Sequence, residues 1–146
     1  MTRLDAVVQR LEMSGHRVTP SRRAVVVAVT EAGSHFTVED ISHSLRDVGR
    51  ATVFRTMKLL LGLGVVCRVL LEDGSLHYRL TSPGAGEHHH HLVCSECGRV
   101  QDFSTCEVAL LADELARKTS YEIQGHWLEL YGRCEACRVA EPVEAG

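Results

Sequence analysis

The sequence predicts an α+β chain in two parts, a helical N-terminal half closed by a β-hairpin and a smaller C-terminal half that mixes strand and helix. Three observations predict it. Apolar residues recur at helical spacing over most of the first 63 positions. Two strand-like runs, Val65 to Leu71 and Leu76 to Leu80, flank Asp73-Gly74, a strong hairpin signal. Beyond the turn-forming stretch Ser82-Pro83-Gly84-Ala85-Gly86, strand-like and helix-like segments alternate. The expected domains are residues 1–82 and 88–146, with a hinge at 83–87.

Leu4, Val7, Val8 and Leu11 share one face of a first helix, and Gly15 offers its stop. Thr19-Pro20 pairs a cap residue with proline at the first helical position, so a second, largely apolar helix runs to Ala32. Thr37-Val38-Glu39-Asp40 has the form of a capping box and opens a helix carrying Ile41 and Leu45. A fourth helix covers Ala51 to Leu63, with Val53, Met57, Leu60 and Leu61 on one side and Thr52, Arg55, Thr56 and Lys58 largely on the other. Short helices followed by a hairpin form a winged helix-turn-helix pattern, in which the fourth helix is the one offered to a DNA major groove. In the second half His88 to Cys94, Arg99 to Phe103 and Ile123 to Tyr131 read as strands, and Glu107 to Lys118 as a helix with Val108, Leu111 and Leu115 as its stripe.

The net charge of −3 hides a division. Residues 1–82 carry 11 Lys and Arg against 8 Asp and Glu, a net of +3, while residues 83–146 carry 5 against 11, a net of −6. Five of the nine histidines and five of the six cysteines lie in the acidic half. A basic half suits a polyanion, and an acidic half rich in imidazole and thiol suits cations. The longest apolar stretch, Leu59 to Cys67, falls far short of the roughly 20 residues a membrane span needs. The N-terminus lacks the pattern of a signal peptide, so a cytoplasmic protein with no membrane partner is expected, and its cysteines read as metal ligands or redox thiols before disulfides. No nucleophile elbow, phosphate-cradling loop or H-E-x-x-H motif is present, so no enzymatic activity is expected.

Cys94-Ser95-Glu96-Cys97 and Cys134-Glu135-Ala136-Cys137 are two C-x-x-C knuckles. Together they supply the tetrahedral thiolate set preferred by structural zinc. A redox dithiol ranks lower, because neither knuckle sits in a strand-to-helix setting. The tetrad His88-His89-His90-His91 alternates between the faces of a strand, so His88 and His90 can serve one metal site and His89 and His91 another. Cys67 and His77 on the hairpin, His35 between two helices, His126, Asp102 and Glu107 are further candidate ligands. Cys106 is read as a ligand, a free thiol or an unexceptional residue before a helix.

Four segments carry a family resemblance: Gly15-His16-Arg17-Val18-Thr19-Pro20-Ser21-Arg22, Ala51-Thr52-Val53-Phe54-Arg55-Thr56, His88 to Gly98, and Leu130-Tyr131-Gly132-Arg133-Cys134-Glu135-Ala136-Cys137. In this order they resemble the ferric-uptake-regulator (Fur) family of bacterial metal-responsive repressors over nearly the whole chain. The resemblance implies an N-terminal winged helix, a C-terminal α/β dimerisation domain, and a homodimer that binds palindromic operator DNA when metal-loaded. It implies structural Zn2+ at Cys94, Cys97, Cys134 and Cys137, a hinge site using His89 and His91, and a further site at His88, His90 and His126, with Glu107 nearby. Arg50, Thr52, Phe54 and Arg55 are expected to read bases or position the helix, and Arg17, Arg22 and Lys58 to neutralise phosphates.

Several residues depart from the family pattern. Phe54 stands where a tyrosine is usual, Arg79 where iron and peroxide sensors place a carboxylate, and Ala109 where an acidic ligand is usual. Cys67 falls at a hairpin position used by zinc sensors, His35 at one used by iron, nickel and peroxide sensors, and Asp102 matches an aspartate of the peroxide sensors. A thiolate gained and a carboxylate lost favour zinc as the regulatory metal, held by Cys67, His77, His89 and His91, over Fe2+, Mn2+ or Ni2+. A peroxide-sensing thiol or histidine switch and a metal-storage protein are the rival readings.

Overall fold

The computed structural model describes residues 1–82 and 88–140, so the expected hinge at 83–87 lies outside the described residues. The chain divides into two compact units, Met1–Thr81 and Ser82–Gly146. Among the described residues no helix is long and apolar enough to cross a membrane.

The first unit is four helices and a hairpin: α1 (Arg3–Met13), α2 (Pro20–Glu31), α3 (Val38–Ser44), α4 (Arg50–Gly62), β1 (Val66–Leu70) and β2 (Leu76–Leu80). Its helix ends are set by local hydrogen bonding that the sequence announces. Thr2 and Thr37 each close a full capping box, with Asp5 and Asp40 respectively, and the Thr19 hydroxyl accepts from the Arg22 amide at 3.2 Å. α1 and α4 both end in a Schellman arrangement. The amides of His16 and Val65 donate to Leu11 and Leu60 at 2.9 Å, across Gly15 and Gly64 with φ of +79° and +69°. Leu11, Val25, Val26, Val29, Val53 and Leu60, all essentially inaccessible, bind the helices into one core. Thr56, expected on the polar side of α4, is buried at 1% exposure on the face that also carries Val53, Met57 and Leu60.

β1 and β2 pair antiparallel with Cys67 opposite Arg79 and Val69 opposite His77, and Gly74 (φ +85°) makes the turn. A single bridge from Phe36 to Tyr78, with mutual amide bonds of 2.8 and 2.7 Å, attaches the segment between α2 and α3 to the outer edge of β2. That bridge brings His35 beside His77.

The second unit is a three-stranded sheet in the order β4-β3-β5, with β3 (His90–Cys94), β4 (Val100–Phe103) and β5 (Glu129–Gly132), plus α5 (Val108–Thr119) and the short α6 (Glu135–Val139). β3 pairs antiparallel with β4 and parallel with β5. Two strands are shorter than expected. β3 begins at His90 rather than His88, and β5 begins at Glu129 rather than Ile123. The parallel register uses only residues 129–132, so among the described residues the stretch before it pairs with no strand, and His126 stands outside the sheet. α6 is too short to show a periodicity in sequence, and because it starts from Cys134 just after β5, the second knuckle stands at a strand-to-helix junction, contrary to expectation. α5 buries none of its residues, and the stripe expected to pack inward leaves Leu111 and Leu115 exposed.

The two glycines closing α4 differ in backbone state, which gives a paired prediction. A Cβ at Gly62 or Gly64 meets no atom within 4 Å, so only conformation matters. Gly62→Ala, in the helix, should raise stability by about 0.5 kcal/mol through a less disordered unfolded chain. Gly64→Ala, in the left-handed region, should lower it by about 1 kcal/mol. Urea unfolding followed by the helical signal checks both signs.

Candidate metal centres and nucleic-acid interface

The first centre follows directly from the sheet. Cys94 ends β3 opposite Gly132 of β5, so the first knuckle leaves one strand where the second is about to begin on its parallel neighbour. The Ser95 amide donates to the Gly132 carbonyl at 2.8 Å and locks the two ends together. Within the first knuckle, the Gly98 amide donates back to the Cys94 carbonyl at 3.0 Å, with Gly98 at φ +75°. The four sulfurs of Cys94, Cys97, Cys134 and Cys137 lie within 4.8 Å of one another. Cys94 to Cys137 and Cys97 to Cys134 are each 3.7 Å. Sulfurs around a tetrahedral zinc with bonds of about 2.3 Å stand about 3.8 Å apart, so spacing and donor type fit that ion.

The thiols are unequal. Amide donors of Cys97 and then Cys134 hold Cys94 down to about 6, so it is a thiolate at neutral pH. The adjacent sulfurs of Cys134 and Cys94 push Cys137 well above the ordinary thiol range. A divalent cation removes this conflict by compensating the negative charge of four converging thiolates.

The second centre gathers His88, His90, Cys106 and His126, whose ligand atoms also lie within 4.8 Å of one another. His126 Nε2 is 3.4 Å from His90 Nε2 and 3.4 Å from Cys106 Sγ. The His88 ring stands edge-on to His90 and His126, at centroid distances of 4.6 and 4.9 Å. His90 is only 4% exposed, and burial, followed by the neighbouring His88 and His126, lowers its pKa. It is thereby kept in the neutral form that binds metal. Cys106, and not Glu107, joins the three histidines, while Glu107 is the residue from which α5 starts. The signal available in sequence was a thiol immediately before a helix in a half already rich in ligands.

The tetrad's other pair stands apart from these. His89 and His91 lie 5.2 Å apart, edge to face. His91 Nδ1 is 2.7 Å from Glu129 Oε1, and its Nε2 is 3.5 Å from Asp102 Oδ1. Glu129 was not foreseen as a site residue, because the register that sets it opposite His91 is not readable from spacing. In the first unit His35 and His77 approach at 2.9 Å between Nδ1 atoms, and Cys67 is half-buried on β1.

On α4, Arg50, Phe54, Arg55 and Lys58 are exposed and Thr52 is half-exposed. The Arg50 guanidinium lies 5.5 Å over the Phe54 ring and is ion-paired with Glu39 of α3. Arg55 donates to the Thr52 hydroxyl at 3.3 Å. Arg22 donates to the Arg17 carbonyl, which sets two of the expected phosphate contacts side by side at the start of α2, while the third, Lys58, is on α4. Gly49 caps α4 with no side-chain hydrogen bond, so the first-turn amides have no capping side chain.

A helix-turn-helix unit with an exposed basic helix, joined to a unit with clustered metal ligands, defines the class of metal-responsive DNA-binding regulators. The model of the Ferric uptake regulator family matches residues 13–131, and the chain belongs to that family, whose members are transcription regulators and not enzymes. The chain is 33% identical over 144 residues to the ferric uptake regulation protein of Bacillus subtilis (strain 168), covering 95% of this chain and 97% of that one. It superposes on the crystal structure of the Vibrio cholerae ferric uptake regulator with a TM-score of 0.54 and 32% identity, covering 86% of this chain and 98% of that one. A zinc uptake regulator complexed with zinc and DNA gives a TM-score of 0.74 at 22% identity, covering 95% and 97%, a likeness of fold.

Zinc uptake at the four-cysteine centre should release protons, because thiols that are neutral in the metal-free protein must ionise. Affinity should therefore fall as pH drops from 8, and more steeply below about 6, where Cys94 also takes up a proton. Chelator competition across pH measures this. Cys97→Ser should abolish this zinc and the compact second unit with it; a retained fold with full zinc content would contradict the assignment.

Proposed function

We propose that this protein is a cytoplasmic, zinc-responsive transcriptional repressor that binds palindromic operator DNA as a metal-loaded homodimer. The observation that carries the choice of zinc is Cys106, which adds a thiol to three imidazoles in the second centre. Thiolate with imidazole suits zinc, whereas Mn2+ and Fe2+ sites ordinarily enlist carboxylate oxygen. Cys94, Cys97, Cys134 and Cys137 hold a structural zinc that fastens the second unit.

A second copy of the chain is supported by the surface of the second unit. Leu110, Leu111, Leu115 and Trp127 are 72%, 53%, 43% and 54% exposed, a concentration of large apolar groups that a partner would cover. The DNA reading is supported by α4, with the β1-β2 hairpin as the wing. Phe54, lacking a hydroxyl, contacts a thymine methyl or stacks beneath Arg50, and the bare N-terminus of α4 suits a phosphate. On the sequence argument, the switch is an ion taken by His89 and His91 with Cys67 or His77 of the other unit, which restricts how the two units are held. Metal shifts the protein toward the DNA-binding state only as far as it binds that state more tightly. A 100-fold gain in operator affinity needs about 2.7 kcal/mol of such coupling.

A second reading, an iron-, manganese- or nickel-responsive regulator, is favoured by the two carboxylates beside His91 and by relatives named for ferric uptake regulation. Operator affinity titrated separately with Zn2+, Fe2+, Mn2+ and Ni2+ decides between them. Zinc should act at the lowest free concentration, and Cys106→Asp should move the metal preference of the second centre toward Mn2+ and Fe2+. Activation by Fe2+ but not Zn2+ in the unaltered protein would overturn the zinc reading. Lys58→Ala should weaken binding to all sequences alike and reduce the salt slope by about 1.

A further inference from the structure

His91 occupies the central strand of its sheet, opposite Asp102 on one side and Glu129 on the other. One imidazole therefore faces a carboxylate from each flanking strand. The side chains of His91, Glu129 and Asp102 are 4%, 5% and 11% exposed. Burying two carboxylates around one ring is a costly arrangement unless each has a task.

The two contacts differ in kind. Nδ1 to Glu129 Oε1, at 2.7 Å, is the length of a charge-assisted hydrogen bond and puts the ring proton on Nδ1. Nε2 to Asp102 Oδ1, at 3.5 Å, is too long for a hydrogen bond. It is close to the roughly 3.4 Å that separates two donors on one tetrahedral ion with bonds of about 2.1 Å. The remaining oxygen of Glu129, Oε2, is buried and has no hydrogen-bond partner. Among the described residues, the bond from His91 Nδ1 to Oε1 is thus the polar contact that accounts for the burial of this carboxylate.

We propose that Glu129 is the positioning residue of the regulatory site: by accepting the Nδ1 proton of His91 it fixes the tautomer that presents Nε2, with Asp102 alongside, to the metal. Glu129 does not itself bind the ion. Its charge also raises the basicity of the ring and so strengthens the Nε2–metal bond. The same carboxylate denies the ion access to Nδ1, so the site has one ring nitrogen to offer and one direction of approach. The proposal rests on the reading of His91 as a ligand of the regulatory metal.

The test uses the full-length protein with its four-cysteine centre and its second centre already zinc-loaded. Imidazole 15N spectra report the tautomer, and zinc titration against a competing chelator reports affinity for the further zinc. Unaltered protein should show His91 as the Nδ1–H tautomer, with zinc shifting Nε2. Glu129→Ala should mix the tautomers and weaken the further zinc by 10- to 100-fold. Glu129→Gln, whose amide oxygen still accepts the Nδ1 proton, should recover the tautomer and much of the affinity, which a purely packing role would not produce. An Nε2–H tautomer in the unaltered protein overturns the proposal. So does unchanged affinity in Glu129→Ala when His91→Ala loses the zinc. If His91→Ala itself retains the zinc in full, the reading of His91 as a ligand fails, and the proposal fails with it.

Discussion

The parallel pairing of β3 with β5 is the constraint on which the second unit depends. One register, from His91–Glu129 to Cys94–Gly132, performs two tasks at its two ends. At the carboxyl end it delivers the two knuckles to a common point, although 36 residues separate them in sequence. Three residues upstream it sets a carboxylate against His91 at 2.7 Å. Because side chains alternate along a strand, a slip of one residue would turn Glu129 to the other face and separate the knuckles together. Parallel strands require a long crossover, which here contains β4 and α5 and so also carries Asp102 and Cys106 into reach of the tetrad.

The second unit has little else to hold it. Its buried apolar side chains are few, chiefly Val93, Cys94 and Val100 among the described residues, and α5 contributes none. A region of this size cannot offset its conformational entropy by core burial alone. On the proposed reading, metal ligation supplies one compensation, and a second copy covering the exposed leucines of α5 supplies another. Both are concentrated where the first unit needs neither, since its helices already close around an inaccessible core. On that reading, metal dependence falls in the half of the chain with the fewer buried apolar residues, where a bound ion would change the population of states most.

Much of this was legible in the sequence, because the first unit is governed by local rules. Thr19-Pro20, the Thr37–Asp40 box and Asp73-Gly74 each specify their own backbone, and all formed where expected. The knuckles were readable for the same reason. What was not legible was set by pairing at a distance. Residues 123–128 alternate well enough to suggest a strand, yet have no neighbour there, so β5 starts late. Thr56 sits on the buried face of α4 because it stands three residues after Val53 and four before Leu60, on the same stripe, although its polarity suggests the other side. Glu129 is not marked in the sequence, and Cys106 stays open there between ligand, free thiol and bystander, because each becomes a site residue only through the register or the chain path that brings it to a histidine. A lone thiol or carboxylate carries no periodic signal.

The alternation of the tetrad also separates two environments of unlike hardness within four residues. His88 and His90 face a thiol and a third imidazole, while His91 faces two carboxylates. A strand is the simplest device for this, since adjacent residues reach opposite faces without any change of backbone. The soft set favours zinc, and the other face, where Asp102 adds a carboxylate to imidazole, accepts a wider range of divalent ions. The buried, neutral His90 is ready to bind without first losing a proton, whereas His91 is already engaged by Glu129 and has a single nitrogen to give. The two faces therefore differ in which ion they prefer and in how much reorganisation binding demands.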